Sequence, residues 1–265
     1  HSVDDGESVS LAIAVPIVAS ARSTGLISAD ELEAYTRPLG ELTRQLDSVI
    51  DRPVAIAIDP MIIASIRILG SSAPASATAW LTRLEGASNE TFALPYADSD
   101  MTLATQAGSS VVLGPPSFDF AIDPALFGEA VEETATPTPE PTESADENAL
   151  PSLPTSDDLT TWPYTIEGLG WPRGNTVVAS DLPALGLAWD SVILSSSNVA
   201  RSGAASLVSI DDLTAVVSDD AISTALGTTV TATTPEGWAA AFAGLDAALA
   251  ASARVQSGEI GRAHV

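Results

Sequence analysis

The chain has no cysteine, no lysine and only two histidines, and each shortage closes off chemistry. Without thiols there is neither a disulfide framework nor a thiolate metal site. The histidines are His1 and His264, one at each end. Between them no imidazole is left to hold a divalent metal beside a carboxylate, or to act as the base of a Ser-His-Asp relay. The sequence therefore points to no metal and no cofactor. All ten basic residues are arginine, which reads as the codon bias of a GC-rich genome and not as a functional signal. No apolar run approaches the roughly 18 residues a membrane span needs, so direct membrane insertion is not expected of this segment. The 35 acidic residues outnumber the basic ones and leave a net charge of −25. Such a field repels phosphate backbones and anionic lipids, which excludes nucleic acid as a partner. A solvated acidic surface on an exported protein is the plain reading of it.

What is present is enough for one large domain or two small ones: 265 residues, 45% of them hydrophobic. The chain opens at His1 with no initiator Met. Residues 259–265 read as the in-frame translation of a sequencing adapter. A fragment of a longer protein is the resulting expectation, with 259–265 set aside from the fold. Residues 131–158 are rich in Pro, Thr and Glu and poor in large apolar side chains. They cannot bury enough surface to offset their ordering entropy, so they are expected to form a disordered insertion of the kind exported proteins carry, or else a plain interdomain linker.

On either side of that insertion the text is punctuated in one way. Apolar runs end in an acid followed by Pro or Ser: residues 54–58 then Asp59-Pro60, 118–122 then Asp123-Pro124, 216–217 then Ser218-Asp219. A looser version runs from 92–94 into Pro95-Tyr96-Ala97-Asp98-Ser99-Asp100. Strands are expected over 10–18, 54–58, 91–94, 117–122, 166–171 and 192–194, with 207–210 and 214–217 paired about an Asp211-Asp212 turn. Helices are expected over 28–35, opened by a Ser28/Glu31 capping box, and over 39–49, 61–69, 76–84, 180–185 and 236–253, the last with Pro235 at its first position. Alternating strand and helix text with polar groups gathered at strand ends is how a β/α barrel reads. The expected fold is therefore α/β: one (β/α) barrel, incomplete or distorted, with residues 8–130 its first part, 131–158 looped out, and 159–258 its second part.

Several phrases carry a family resemblance. They are residues 11–18, Arg37-Pro38-Leu39-Gly40, 54–60, Ala79-Trp80-Leu81-Thr82-Arg83-Leu84, 93–100, Gly170-Trp171-Pro172 and Ser195-Ser196-Ser197-Asn198. Together they resemble an uncharacterised family of secreted actinobacterial cell-envelope proteins, over most of residues 8–250. The resemblance implies export, and longer members with a membrane anchor, often encoded beside a lipid II flippase-like membrane protein. It also implies an N-terminal region similar to the barrel of glycoside hydrolases and polysaccharide deacetylases. No activity is assigned to the family.

The residues offer two chemistries. A glycosidase needs two carboxylates flanking the scissile bond, one of them protonated. Strand-end acids supply catalytic candidates: Asp98, Asp100 and Asp59, with Asp123 and Asp219 behind them. Yet an Asp just before a helix is also a standard N-cap, the reading favoured at Asp59 and Asp123. Tyr96, Asp98, Trp171 and Asn198 are the ligand-binding candidates, with Trp162 and Tyr164 as further aromatic faces that could stack on sugar and Arg173 as a carboxylate binder. An all-oxygen calcium site from Asp98 and Asp100, or from Asp211 and Asp212, is the weaker alternative to acidic turns facing water. Trp80 and Trp238 lie on apolar helix stripes and read as packing residues. Asp98 and Tyr96 are expected to share an open cleft with Asp59 and Trp171. Two functions follow: a non-catalytic envelope module binding cell-wall glycan or an envelope membrane protein, or an active glycoside hydrolase using strand-end Asp residues.

Overall fold

The computed structural model describes residues 11–19, 25–127, 153–199, 206–232 and 234–260. In chain order the elements are β1 (Ala14–Ile17), α1 (Ala29–Thr36), α2 (Glu41–Val49), β2 (Ala55–Ile58), α3 (Pro60–Arg67), α4 (Ala75–Glu85), β3 (Thr91–Ala93), α5 (Met101–Gln106), α6 (Ser156–Thr160), β4 (Leu169–Gly170), α7 (Leu182–Ala188), β5 (Ser191–Ser195), β6 (Leu207–Ile210), β7 (Leu213–Ser218), α8 (Asp220–Thr231) and α9 (Pro235–Ile260). The chain divides into two compact units. One comprises Ala14–Ser99 with Gly114–Thr165; the other comprises His1–Ile13, Asp100–Leu113 and Ile166–Val265.

The first unit is a three-stranded parallel sheet in the order β1-β2-β3. Ile56, Ala57 and Ile58 of the central strand are all fully buried, as continuous apolar text requires of a strand covered on both faces. Helix α2 buries Leu42, Leu46 and Val49 at helical spacing, and Trp80 of α4 donates its indole N–H to the Leu42 carbonyl at 3.0 Å. The sheet is finished at its margins by side chains. Beyond β1, the Gln45 amide pairs with both the N–H and the carbonyl of Val18, at 3.1 and 2.9 Å, much as a neighbouring strand would. On β3, Thr91 donates its N–H to the Thr165 hydroxyl and accepts from the Thr165 N–H.

The second unit holds a four-stranded sheet in the order β4-β5-β7-β6. Strands β4, β5 and β7 run parallel, and β6 joins β7 antiparallel through the expected Asp211-Asp212 turn. Its core is Met101, Val177, Leu185, Val192, Leu194, Leu213, Ala215 and Val217.

The α/β class is as expected; the barrel is not what these strands form. Among the described residues neither sheet closes on itself, and no strand of one pairs with a strand of the other. The physical reasons are local. Gln45 and Thr165 occupy hydrogen-bonding groups a further strand would need, and the β6–β7 hairpin reverses direction where a β/α barrel requires parallel strands. Residues 117–122 are not a strand either. Pro115 and Pro116 precede them without N–H groups, and the chain makes a turn from Phe118 to Ala121 while the Phe118 ring enters the core beside Ala64, Ile68 and Leu159. The expected strand at 166–171 shrinks to two residues. Helices α5 and α8 are present where none was expected. Of the expected disordered segment, residues 131–152 lie outside the described residues; Ser156-Asp157-Asp158, which also read as a helix or turn start, open α6, with Thr155 and Asp158 forming a reciprocal cap. Residues 261–265 of the expected adapter tail lie outside them too. Trp80 is buried as expected, but Trp238 is 50% exposed and stacks on Phe242 at a ring separation of 5.2 Å.

Candidate functional site

Asp59 is the first residue beyond the central strand β2, and its position gives it two roles at once. Pro60 begins α3 in the first turn, where its missing N–H costs nothing, and Asp59 Oδ1 accepts the Met61 N–H at 2.9 Å. The same oxygen accepts the Ala97 N–H at 2.9 Å. Ala97 and Asp98 both have left-handed backbone, φ 58° and 45°, which is how the chain after Pro95 turns that N–H toward the acid. Left-handed backbone is unfavourable for Ala, so the Asp59 hydrogen bond offsets a local cost.

Asp59 is 0% exposed. Its other oxygen, Oδ2, is buried without a hydrogen-bond partner among the described residues, and so is the Tyr164 hydroxyl. Burial is the largest influence on this carboxyl and favours its neutral form. The two N–H donors oppose that, and the nearby Asp98 charge adds to it, so the pKa is pushed up to about 7. Tyr96 and Tyr164 are both raised above the ordinary tyrosine range, by burial first and by the Asp59 charge second; Arg67 partly offsets the effect at Tyr164. The Tyr96 hydroxyl donates to the Gly25 carbonyl, and its ring lies 5.7 Å from that of Phe118. Arg67, at the end of α3, donates to the carbonyls of Asp158, Leu159 and Thr161 and so caps α6, while lying 6.0 Å from the ring centre of Trp162.

The other candidates are distributed as follows. Asp100, Asp123 and Asp219 are N-caps: Asp100 accepts from Thr102, Asp123 from Ala125, and Asp219 from Ala221 and Ile222. Asp98 is half-buried, and the cap of the helix that follows is Asp100. Asp98, Tyr96, Asp59, Trp162 and Tyr164 belong to the first unit; Asp100, Trp171 and Asn198 belong to the second. Trp162 is buried and not an open stacking face. Among the described residues no group of three acids could hold a metal ion. A chelator is accordingly expected to leave the thermal melting curve unchanged; a large fall in melting temperature would reveal an ion that stabilises by mass action.

At the C-terminal ends of β5 and β7 in the second unit, near the ligand-binding candidate Asn198, the side chains form a hydroxyl network. Ser195 donates to Asp220 at 3.0 Å and meets the Ser197 hydroxyl at 2.7 Å; Ser197 donates to the Asn175 side-chain oxygen at 2.8 Å. Asn198 donates its amide to the Val177 carbonyl at 3.0 Å. Asn198→Ala is expected to cost about 1 kcal/mol by leaving that carbonyl unpaired. A denaturation midpoint unchanged from wild type would remove this role.

Two residues escaped the sequence reading. Asp181 is buried and joins α5 to the chain before α7: its oxygens accept from the Thr105 hydroxyl at 2.7 Å, the Gln106 amide at 2.9 Å and the Val178 N–H at 2.9 Å. Burial, the largest influence, raises its pKa, but the three donors together win and hold it below the usual carboxylate range. Asn89 is buried, accepts from the Asp51 N–H and donates to the carbonyls of Val49, Arg52 and Val54. In sequence Asn89 looks like a loop polar and Asp181 like an ordinary acid at a helix start, and only the distant donors or acceptors distinguish them.

No family model matches the chain, and neither a curated protein nor a solved structure is similar to it.

Proposed function

We propose that this protein is an exported, cell-envelope-associated module that acts by binding and not by catalysis, and that its partner is an envelope protein in preference to cell-wall glycan. The α/β scaffold runs strands into helices, and among the described residues its sheets do not close into a barrel. The observation that carries the reading is where the acids expected at strand ends go: Asp59, Asp100, Asp123 and Asp219 all accept N–H groups of the helical turns they precede, and only Asp59 and Asp219 directly follow a strand. A general acid must touch the leaving-group oxygen, and Asp59 is sealed from solvent with one oxygen shared between two backbone donors. Protein is preferred over glycan because three of the residues offered for sugar are engaged in the fold: Tyr96 with Gly25, Asn198 with Val177, Trp162 in the core. Export and envelope location rest on the family resemblance and on the acidic, Pro/Thr/Glu-rich text. Among the described residues no helix is long and apolar enough to cross a membrane.

One observation favours the hydrolase alternative, a protonatable Asp59 close enough to Asp98 to feel its charge. A single experiment separates the two. The purified chain is incubated with peptidoglycan and with neutral polysaccharides, and released reducing ends and acetate are measured beside co-sedimentation with envelope membranes. The expected result is sedimentation with membranes and no release. Release of sugar that disappears in Asp59→Asn would establish the hydrolase instead.

A further inference from the structure

In the second unit a cavity of about 770 Å³ lies between α7 and the β6–β7 turn. Its walls are Leu182 and Leu187 of the helix, with Ile210 and Leu213 from the two strands; Asp211 and Asp212 of the turn stand at its edge. Leu187 is 78% exposed and Leu182 half-buried, so the helix side of the groove presents apolar surface. Both turn acids are exposed, and Asp211 has left-handed backbone at φ 52°, which the tight hairpin imposes. None of the residues lining the cavity is basic, so the wall itself offers the acids no counter-charge. The volume falls in the roughly 300–1,000 Å³ range of ligand pockets and is far too large for a lone ion.

We propose that this groove docks a short peptide segment of a protein partner, one that places an aliphatic side chain against Leu182 and Leu187, over the buried Leu213, and an adjacent Arg or Lys against Asp211 and Asp212. The inference deepens the binding-module reading and rests on it for the partner's class. Charge complementarity selects the occupant. The only charges in the lining are two neighbouring carboxylates, and the whole chain carries 35 acids against 10 arginines. An acidic peptide, a phosphate group or a second copy of this chain would be repelled, whereas a basic segment is attracted at long range and held at the rim. The apolar wall supplies the burial that fixes its register, as an anchor side chain does at a protein interface.

Gly186 provides the decisive variant. It sits within α7 facing the groove, and a Cβ built there meets only the Leu213 side chain, at 3.6 Å, an ordinary contact. Gly186→Leu therefore projects an aliphatic side chain into the groove while raising helix propensity, so loss of binding cannot come from loss of the helix. The probe is a fluorescein-labelled peptide GLRRLG, with GLSSLG and GLEELG as controls, measured by anisotropy against the full chain. GLRRLG is expected to bind, to weaken about five- to tenfold in the double variant Asp211→Asn/Asp212→Asn, to weaken with added salt, and to be lost in Gly186→Leu. Melting curves of both variants are expected to match wild type. Absence of GLRRLG binding, equal binding of GLSSLG, or binding that survives Gly186→Leu would each overturn the proposal. Membrane co-sedimentation of the same variants keeps the two claims apart. Sedimentation unchanged in Gly186→Leu, with no GLRRLG binding, removes the groove and leaves the envelope reading standing; release of sugar by the chain removes the latter alone.

Discussion

Asp59→Asn is expected to make the protein more stable than wild type at pH 8 and no more stable at pH 4. The folded-state pKa of Asp59 is about 7, above the ordinary carboxylate value of 3.8. Between those values the folded chain keeps a proton the unfolded chain has released. Stability from this group is therefore full below about pH 4, falls as pH rises, and levels off above about pH 7. The swing is on the order of 2–4 kcal/mol by linkage. Asparagine keeps an oxygen for the Met61 and Ala97 N–H groups and carries no charge to bury, so the swing disappears. Asp59→Ala removes the acceptor itself and is expected to cost about 2–4 kcal/mol at pH 5, since two buried N–H groups lose their partner. Relief of the −25 net charge also stabilises the fold on acidification, which is why the comparison is between variant and wild type at each pH. Chemical denaturation at pH 4, 6 and 8 is the measurement. Parallel pH profiles for wild type and Asp59→Asn would show that this carboxyl is not the buried acid described here.

Asp181 is expected to respond in the opposite way to the same pair of substitutions. Both of its oxygens accept, Oδ1 from Thr105 and Oδ2 from Gln106 and Val178. Asparagine would turn an amide N–H₂ toward one set of those donors, so it cannot replace the carboxylate. Asp181→Ala and Asp181→Asn are each expected to destabilise by about 2–4 kcal/mol at neutral pH, with Asn giving little or no rescue. The sign with pH is also reversed. This pKa is depressed in the folded state, so the carboxylate's contribution is present above about pH 4 and is lost as pH falls below it. Denaturant midpoints at pH 7 and pH 3 test both points. A stability for Asp181→Asn equal to wild type at pH 7 would mean that one oxygen, not two, carries the contacts.

The contrast shows what kind of information a sequence holds. Asp59, Asp100, Asp123 and Asp219 are all caps by the same rule, an acid placed just before a helical turn, and that much is written within three residues. Whether the cap is also a buried, half-protonated acid depends on Ala97 arriving from 38 residues away and on the core around it. Tyr164 could be seen as an aromatic near a strand end, but not as a buried hydroxyl without a partner in the field of Asp59.

The sequence by itself determined several helix starts, among them the Ser28/Glu31 box and Pro235, the β6–β7 hairpin, the buried character of β2 and the lack of any thiol. These rest on residue type and on contacts a few positions apart, where entropy costs are small and alternatives few. Tertiary structure alone decided that the strands form two open sheets, that 117–122 turns instead of pairing, and that Asp59 and Asp181 acquire opposite electrostatics. Strand neighbours and the solvent exposure of a carboxyl are fixed by distant groups, here Gln45 beside β1, Thr165 on β3, and Thr105 and Gln106 on Asp181. A local pattern is compatible with several such long-range pairings; the packed fold selects one, because each buried donor and acceptor must then find its partner.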